Sequence, residues 1–172
     1  ILLIFFKDHL VFFLYTRDMN ITNICSDIDY LEIIGDTEVE ITSLSQDSRD
    51  ENLTGALYFA VPGTIVDGHD FIPEVIDKGV RVIVCEEVPA EIPKGVTVIK
   101  VRDVKHAMGI MASTFYGHPS SELTVIAVTG TNGKTSVATY IAKALEYLDA
   151  EVLLLSTAGD YVGGKKVETN RK

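Results

Sequence analysis

The sequence predicts an α/β fold in two parts: a small N-terminal α/β domain, then the start of a second domain built on a parallel sheet. Apolar runs rich in Val and Ile alternate with segments of helical spacing. From Leu123 to Ser156 a strand, a glycine-rich loop, a helix and a strand follow one another, which is the order of a βαβ unit. The chain has 172 residues, 47% of them hydrophobic, which is enough to fill such a core.

The first 18 residues interrupt this pattern. The stretch ILLIFFKDHLVFFLYTRD is apolar but carries charges at Lys7 and Asp8, so its apolar pieces are shorter than the roughly 20 residues of a membrane span. It lacks the basic start and small-residue cleavage site of a signal peptide. Because the first Met is Met19, we interpret residues 1–18 as in-frame sequence upstream of a start at Met19. A membrane-proximal segment is the alternative.

The elements of the first domain, residues 19–121, follow from local patterns. VEITSLSQDSRD predicts a short strand that enters a loop, and GALYFAV predicts a buried strand closed by a Pro-Gly turn. DGHDFIPEVIDKG has helical spacing and ends at Gly79. VRVIVCEEV and GVTVIKV predict strands. DVKHAMGIMASTFYG predicts a helix with Asp103 as its N-cap and Gly117 at its end.

The second domain is assigned to residues 122–172, because HPSSE before it is short, polar and contains a proline. Leu123 to Val128 and Glu151 to Ser156 predict buried strands, and Lys134 to Leu148 predicts the helix between them. YVGGKKV predicts a hairpin that turns at its two glycines.

Composition excludes several classes of protein. The formal charge is −10, from 15 basic and 25 acidic residues, which argues against a nucleic-acid-binding surface. Cys25 and Cys85 form no CxxC or Cys/His cluster, so a zinc site is not expected. We expect both cysteines to be packing residues in a reduced, cytoplasmic protein.

The loop after Val128 has the features of a phosphate cradle. Its backbone N–H groups and the helix dipole favour an anion, and its glycines let phosphate approach closely. Lys134 can reach the β- and γ-phosphates, and the Thr135 hydroxyl can bind Mg²⁺. Val128 stands where the general Walker pattern has its first glycine, so a turn without a ligand is the alternative. The predicted nucleotide-binding residues are Gly130, Thr131, Asn132, Gly133, Lys134, Thr135 and Ser136.

VTGTNGKTS closely resembles the ATP loop of the Mur ligases, whose loop also departs from the Walker spacing. Two further segments, SQDSRDENLTGALYFAVPG and DGHDFIPEVIDKGVRVIVCEE, are similar to the N-terminal signatures of the same family. The resemblance extends from about Ile41 to Lys172 and implies ATP and Mg²⁺ as cofactors, with Lys134 and Thr135 as catalytic residues and Thr135 as the metal ligand.

The resemblance also implies that the first domain binds the UDP part of a nucleotide-sugar substrate. The residues that match the family's contacts are Gln46, Ser48, Arg49, Thr64, Ile65 and Val66. A structural ion pair between Asp47 and Arg49 is an equal alternative for Arg49. His69 is expected to be a surface or capping residue.

Within the family, the loop and the segment LLLSTAGDYVGGKKVET look more like the MurE-type branch. That branch adds a diamino acid, meso-diaminopimelate or L-lysine, to UDP-N-acetylmuramoyl-L-alanyl-D-glutamate through an acyl phosphate. The MurF-type branch, which adds D-Ala-D-Ala, is the alternative. The implied setting is peptidoglycan precursor synthesis by a cytoplasmic monomer, with no nucleic-acid or membrane partner.

Several features of the family have no counterpart in this sequence: its later magnesium-binding glutamate, carbamylated lysine, histidine and C-terminal domain. We therefore interpret the chain as the N-terminal part of such a ligase and expect it to be inactive alone. A non-catalytic UDP-sugar-binding module with a vestigial loop is a further alternative. A nucleotide-hydrolysing switch and a folylpolyglutamate synthase-like enzyme are less favoured, since the first lacks a sensor motif here and the second lacks the Asp-Ser-Arg domain.

Overall fold

The computed structural model describes residues 2–6, 19–63, 66–121 and 123–168, with residues 2–6 described by their backbone. Residues 2–6 form strand β1 (Leu2–Phe6). The chain divides into two compact units. Of the described residues, 19–117 form the larger unit, and 2–6 together with those from 118 onward form the smaller unit. The domain limits 19–121 and 122–172 stay a prediction.

The larger unit contains seven strands and three α-helices among the described residues. In chain order they are β2 (Met19–Asn20), α1 (Ile21–Ile24), β3 (Glu32–Ile34), β4 (Glu40–Ile41), β5 (Ser43–Ser45), β6 (Ala56–Phe59), α2 (Ile72–Asp77), β7 (Val82–Cys85), β8 (Thr97–Lys100) and α3 (Val104–Phe115). A 3₁₀ turn, Gly68–Phe71, leads directly into α2.

The main sheet of the larger unit has the strand order β3-β8-β7-β6-β5. β5, β6, β7 and β8 pair in parallel, and β3 pairs antiparallel with β8 at one edge. β2 and β4 form a separate antiparallel pair. Because β5, β6, β7 and β8 are parallel, their carboxyl ends meet at one edge of the sheet, where the loops that follow β5, β6 and β7 lie.

Both faces of this sheet are covered, as the apolar runs in the sequence predict. In β7, Val82 and Val84 pack with the helices α1 and α3, whereas Ile83 and Cys85 pack with α2 on the opposite face. This alternation is the two-residue period of a strand placed between two apolar layers. The prediction that β7 is a buried strand is confirmed, since all its residues are buried.

The predicted helices of the larger unit are also confirmed. Asp103 caps α3 through its carboxylate, which accepts a hydrogen bond from the His106 N–H at 2.9 Å. Gly79 follows α2 with φ of +104°, and a Cβ there would lie 2.7 Å from Thr54 Oγ1, so only glycine suits this turn.

Both cysteines are buried and unpaired by disulfides, as expected of packing residues. Burial raises the pKa of Cys25 and of Cys85 to about 11, because the thiolate loses its hydration there. Neither thiol is therefore an activated nucleophile at neutral pH.

The described elements of the smaller unit are β1 and one α-helix with four further strands. After a 3₁₀ turn (Pro119–Ser121) they are β9 (Leu123–Ala127), α4 (Lys134–Tyr147), β10 (Glu151–Ser156), β11 (Gly159–Val162) and β12 (Lys165–Val167). β11 and β12 form the predicted hairpin, with Gly163 and Gly164 at its turn. The predicted helix is confirmed.

The expectation of parallel neighbours for β9 and β10 was wrong. The sheet order is β12-β11-β10-β1-β9, and every neighbouring pair is antiparallel. β1 lies between β9 and β10 and pairs antiparallel with both, so β9 and β10 still run in the same direction. The βαβ order of the sequence is preserved, but the intervening position is filled by the first strand of the chain.

The expectation that β9 is buried was also wrong. β9 is at the edge of the sheet and has exposed residues at Thr124, Val125 and Ala127. β10 is buried on one face only, where Val152 and Leu154 pack against the small residues Ala138 and Ala142 of α4. An apolar run is compatible with either arrangement, because the run itself does not say which faces will be covered.

In the part of the chain that the structure describes, no helix is both long and apolar enough to cross a membrane. Most of the apolar segment 1–18 lies outside the described residues.

The cap at α3 allows a direct test of the larger unit's stability. We expect Asp103→Ala to lower the free energy of unfolding by about 1 kcal/mol, because the His106 N–H loses its acceptor. Asp103→Asn keeps an acceptor oxygen and should be close to the unsubstituted protein. Urea unfolding followed by far-UV circular dichroism measures both. Equal stability of the Ala and Asn variants would contradict this role for the cap.

Candidate functional site

The glycine-rich loop of the smaller unit joins β9 to the start of α4. Gly130 has φ of +142° and Gly133 has φ of +76°, both in the region that favours glycine. A Cβ at Gly133 would meet no atom within 4 Å, so the glycine is required by its backbone angle and leaves open space above the loop. A Cβ at Gly130 would point toward Asn132 O at 3.8 Å. These two open positions are what a phosphate cradle needs.

Gly133 is the N-cap of α4 and provides no side-chain cap. The first N–H groups of a helix have no acceptor within the helix. Because the N-cap residue is a glycine, no side chain at this position supplies an acceptor for them. The partial positive charge of the helix start therefore faces the loop. An anion with several oxygens fits this arrangement.

Lys134 folds back over the loop. Its ammonium donates to the carbonyl oxygens of Gly130 at 2.5 Å and Thr131 at 3.3 Å. These contacts hold a positive charge directly beside the loop backbone. A phosphate oxygen would be a stronger acceptor for the same ammonium than a neutral carbonyl.

Thr135 and Ser136 occupy the first turn of α4, where their hydroxyl groups are near the helix start. Thr135 is half-buried, and its backbone carbonyl accepts a hydrogen bond from Thr139 Oγ1 at 2.8 Å. Among the described residues, no cluster of three or more His, Cys, Asp or Glu side chains could hold a metal ion. The start of α4 offers a metal the hydroxyl oxygens of Thr135 and Ser136.

The first predicted substrate segment follows β5 in the larger unit. Ser48 is 9% exposed, while Gln46 and Arg49 are exposed. Arg49 makes a two-pronged ion pair with Asp47, since Nε lies 2.7 Å from Oδ1 and Nη2 lies 2.7 Å from Oδ2. The ion pair that the alternative expects between these two residues is therefore present. Three quarters of the Arg49 side chain remains exposed.

Sequence reasoning missed Lys78, which reaches this segment from the end of α2. Its ammonium donates to the Ser48 carbonyl oxygen at 2.6 Å and pairs with Glu74 Oε1 at 2.7 Å. The Glu74–Lys78 spacing of four residues on a helix was a visible signal. The contact with Ser48 had no local signal, because it joins residues far apart in the chain.

The second predicted substrate segment follows β6. Thr64 and Ile65 lie outside the described residues, and Val66 is 55% exposed. The Gly68 N–H donates to the Val61 carbonyl at 3.0 Å and closes the base of this loop. A Cβ at Gly68 would lie 2.6 Å from the Val61 nitrogen, so a side chain there would push the two ends of the loop apart.

Tyr58 also stabilises the end of this loop at Gly68. Its hydroxyl donates to the Gly68 carbonyl at 3.2 Å. Burial, with smaller effects from nearby carboxylates, raises the pKa of Tyr58 to about 12, so the phenol stays protonated and remains a donor.

The prediction that His69 lies at the surface was wrong, whereas its ring does cap backbone N–H groups, those that follow β7. Only 16% of its side chain is exposed, and the cap of the 3₁₀ turn is Asp67 instead. His69 Nδ1 lies 2.7 Å from Asp67 Oδ1, and Nε2 accepts the backbone N–H groups of Glu86 at 3.0 Å and Glu87 at 3.3 Å. These contacts select a ring with its proton on Nδ1. His69 therefore ties the start of this turn to the end of β7.

The sheet explains why these residues converge. Gln46 follows β5, the loop of Val66 follows β6, and Glu86 follows β7. These three strands are parallel neighbours, so their carboxyl ends form one edge. In open α/β sheets, ligands bind outside this edge. The described parts of both predicted substrate segments therefore lie at a common edge of the larger unit.

Two sequence profiles match the chain. The profile described as Mur ligase family, catalytic domain, matches residues 40–116, and the Mur ligase middle domain matches residues 128–172.

Curated relatives support the same grouping. The UDP-N-acetylmuramoyl-L-alanyl-D-glutamate--2,6-diaminopimelate ligase of Bacteroides fragilis is 42% identical over 88% of this chain. Ligase 1 of the same name from Clostridium acetobutylicum is 45% identical over 89% of this chain. The chain spans 31% of the length of each of these relatives.

A solved structure of MurF from Acinetobacter baumannii is 25% identical, with a TM-score of 0.39, over 44% of this chain and 16% of that chain.

The contact between Asp67 and His69 makes stability depend on pH. Hydrogen bonds from the His69 N–H and then from its ring lower the pKa of Asp67 below the usual 3.8. A lowered pKa means that this stabilisation is present above the usual pKa and is lost as the pH falls through the lowered one. We expect the stability difference between the protein and Asp67→Asn to be constant above about pH 5 and to shrink below about pH 4.

Thermal unfolding over a pH range that extends from above about pH 5 to below about pH 4 measures this difference. Asp70→Asn removes a carboxylate from the same turn and controls for net charge. A difference that does not change with pH would contradict the assignment to the Asp67 carboxylate.

Proposed function

This chain belongs to the Mur ligase family, and we propose that it is part of an ATP-dependent ligase that adds 2,6-diaminopimelate to UDP-N-acetylmuramoyl-L-alanyl-D-glutamate. The observation that carries the proposal is the open glycine loop at Gly130 and Gly133, found in a chain 42% and 45% identical to two ligases of that name. Those names favour diaminopimelate over lysine as the added amino acid. They also favour this reaction over addition of D-Ala-D-Ala.

ATP fits the loop of the smaller unit. The start of α4 favours an anion, and Lys134 supplies an ammonium that already faces the loop. We propose that Lys134 exchanges its carbonyl partners for phosphate oxygens when the nucleotide binds. Mg²⁺, held by the Thr135 hydroxyl together with phosphate oxygens, would supply neutralisation of phosphate charge. The loop amides, Lys134 and Thr135 position the phosphoryl group for transfer to a substrate carboxylate.

The carboxyl edge of the larger unit fits a nucleotide-sugar. Gln46 offers an exposed amide, and the mostly buried Ser48 offers a hydroxyl, and both groups can donate to and accept from the edge of a uracil. Val66 offers exposed apolar surface beside them on the next loop, with Thr64 and Ile65 as further proposed contacts. Arg49 keeps the segment in shape through Asp47 and presents the rest of its guanidinium to a phosphate.

We also propose a cytoplasmic monomer. Two buried cysteines without a disulfide suit a reducing compartment. A UDP-activated substrate and ATP are both consumed in that compartment. The role of the protein would then be a step in peptidoglycan precursor synthesis.

The nucleotide loop is tested by replacing its lysine. We expect Lys134→Ala to raise the Kd for Mg-ATP at least tenfold, because a charged donor to phosphate is lost. Isothermal titration of the purified protein measures this. Lys143→Ala removes a lysine from an exposed position on the same helix and should leave the Kd unchanged. Equal affinities for the Lys134 and Lys143 variants would reject the loop as the ATP site.

The nucleotide-sugar site is tested at its buried hydroxyl. We expect Ser48→Ala to raise the Kd for UDP-N-acetylmuramoyl-L-alanyl-D-glutamate about fivefold to tenfold, since one hydrogen bond to the ligand is removed. Ser43→Ala, at an exposed position on β5, is the matched control. Binding that is insensitive to Ser48→Ala would remove this hydroxyl from the site.

A further inference from the structure

Lys78 makes hydrogen bonds to both ends of the turn from Ser48 to Leu53, which begins within the first predicted substrate segment. Its ammonium donates to the Ser48 carbonyl at 2.6 Å, and its own backbone carbonyl accepts the Leu53 N–H at 3.2 Å. One residue at the end of α2 thus holds both the start and the end of the turn from Ser48 to Leu53. Leu53 is buried at 3% exposure, which anchors the far side of this turn in the core.

The lysine side chain is itself held in place. It is 26% exposed, and its ammonium pairs with Glu74 one helical turn earlier at 2.7 Å. A hydrogen bond from an ammonium to a carbonyl is stronger than one between neutral groups. The pairing with Glu74 restricts the long side chain to the geometry that reaches Ser48.

The turn that precedes α2 is also held in place, at the end opposite Lys78. His69 joins the 3₁₀ turn before α2 to the backbone N–H groups of Glu86 and Glu87. The stretch from Asp67 to Lys78 therefore runs from the loop after β6 to the loop after β5 and is attached at each end. A displacement of α2 would be transmitted to Ser48 through Lys78.

We propose that Lys78 is a positioning residue for the nucleotide-sugar site, acting through the Ser48 backbone. The proposal rests on the proposed function, because Ser48 is a substrate contact only in that account. Lys78 does not touch the substrate. It sets the place of the Ser48 hydroxyl by holding the Ser48 carbonyl, and it keeps the turn from relaxing when the site is empty.

The test compares two ligands on the same purified protein. Lys78→Met keeps the length of the side chain and removes its ammonium. We expect the Kd for UDP-N-acetylmuramoyl-L-alanyl-D-glutamate to rise about tenfold while the Kd for Mg-ATP stays unchanged. Lys78→Arg retains a charged donor and should recover most of the affinity. Lys94→Met, at an exposed position of the same unit, controls for the loss of one positive charge.

The outcomes separate the possible roles. Selective loss of UDP-substrate binding, recovered by Lys78→Arg, supports positioning. Equal loss of both ligands together with a lower melting temperature and no recovery by arginine overturns it in favour of a general structural role. Should Lys78→Met not fold, Lys78→Gln gives the same comparison.

The failure of the inference can be told from the failure of the proposed function. Unchanged affinity in Lys78→Met, with the unsubstituted protein binding the UDP-substrate, overturns the inference alone. Absence of binding by the unsubstituted protein overturns the proposed function and the inference with it.

Discussion

β6, β7 and β8 of the parallel ladder must have both faces covered, and the chain must cross back before each next strand can pair. These two requirements explain the uninterrupted apolar runs and the placement of α2 on one face with α1 and α3 on the other. They also place the carboxyl ends of the strands at one edge. The segments of Ser48 and Val66 lie at that edge because they follow neighbouring strands. Hydrogen bonds from Lys78 to Ser48 and from the Glu86 N–H to His69 then hold the loops in position.

The smaller unit depends on a different constraint, the geometry of a turn. Positive φ angles at Gly130 and Gly133 let the backbone leave β9 and enter α4 without a side chain over the loop. Lys134 then lies against the loop carbonyls because its ammonium needs acceptors. The same features suit a phosphate: helix N–H groups without a side-chain cap, absent Cβ atoms and an ammonium already nearby. Phosphate binding would replace the neutral carbonyl acceptors of the Lys134 ammonium with charged oxygens, which are stronger acceptors, and would need little rearrangement of the loop.

Local patterns predicted most of the elements, because helix caps, turn glycines and strand periodicity act over a few residues. Asp103, Gly79 and the loop at Gly130 are examples. Contacts between distant residues were not predictable in this way. Nothing near Lys78 indicates that it holds Ser48, and nothing near His69 indicates that its ring accepts the backbone of Glu86. The position of β1 between β9 and β10 likewise depends on strand pairing across the chain, which the apolar pattern of either segment does not specify.

The central claim is that one edge of the larger unit binds the nucleotide-sugar and the glycine loop binds ATP. The most direct test is a backbone amide NMR titration of the isotopically labelled protein, first with UDP-N-acetylmuramoyl-L-alanyl-D-glutamate and then with Mg-ATP. The account predicts shifts at residues 46–49 and 66–69 with the first ligand and at residues 131–136 with the second. Saturating ligand that leaves the amides of these segments unmoved, while shifting others or none, would contradict it.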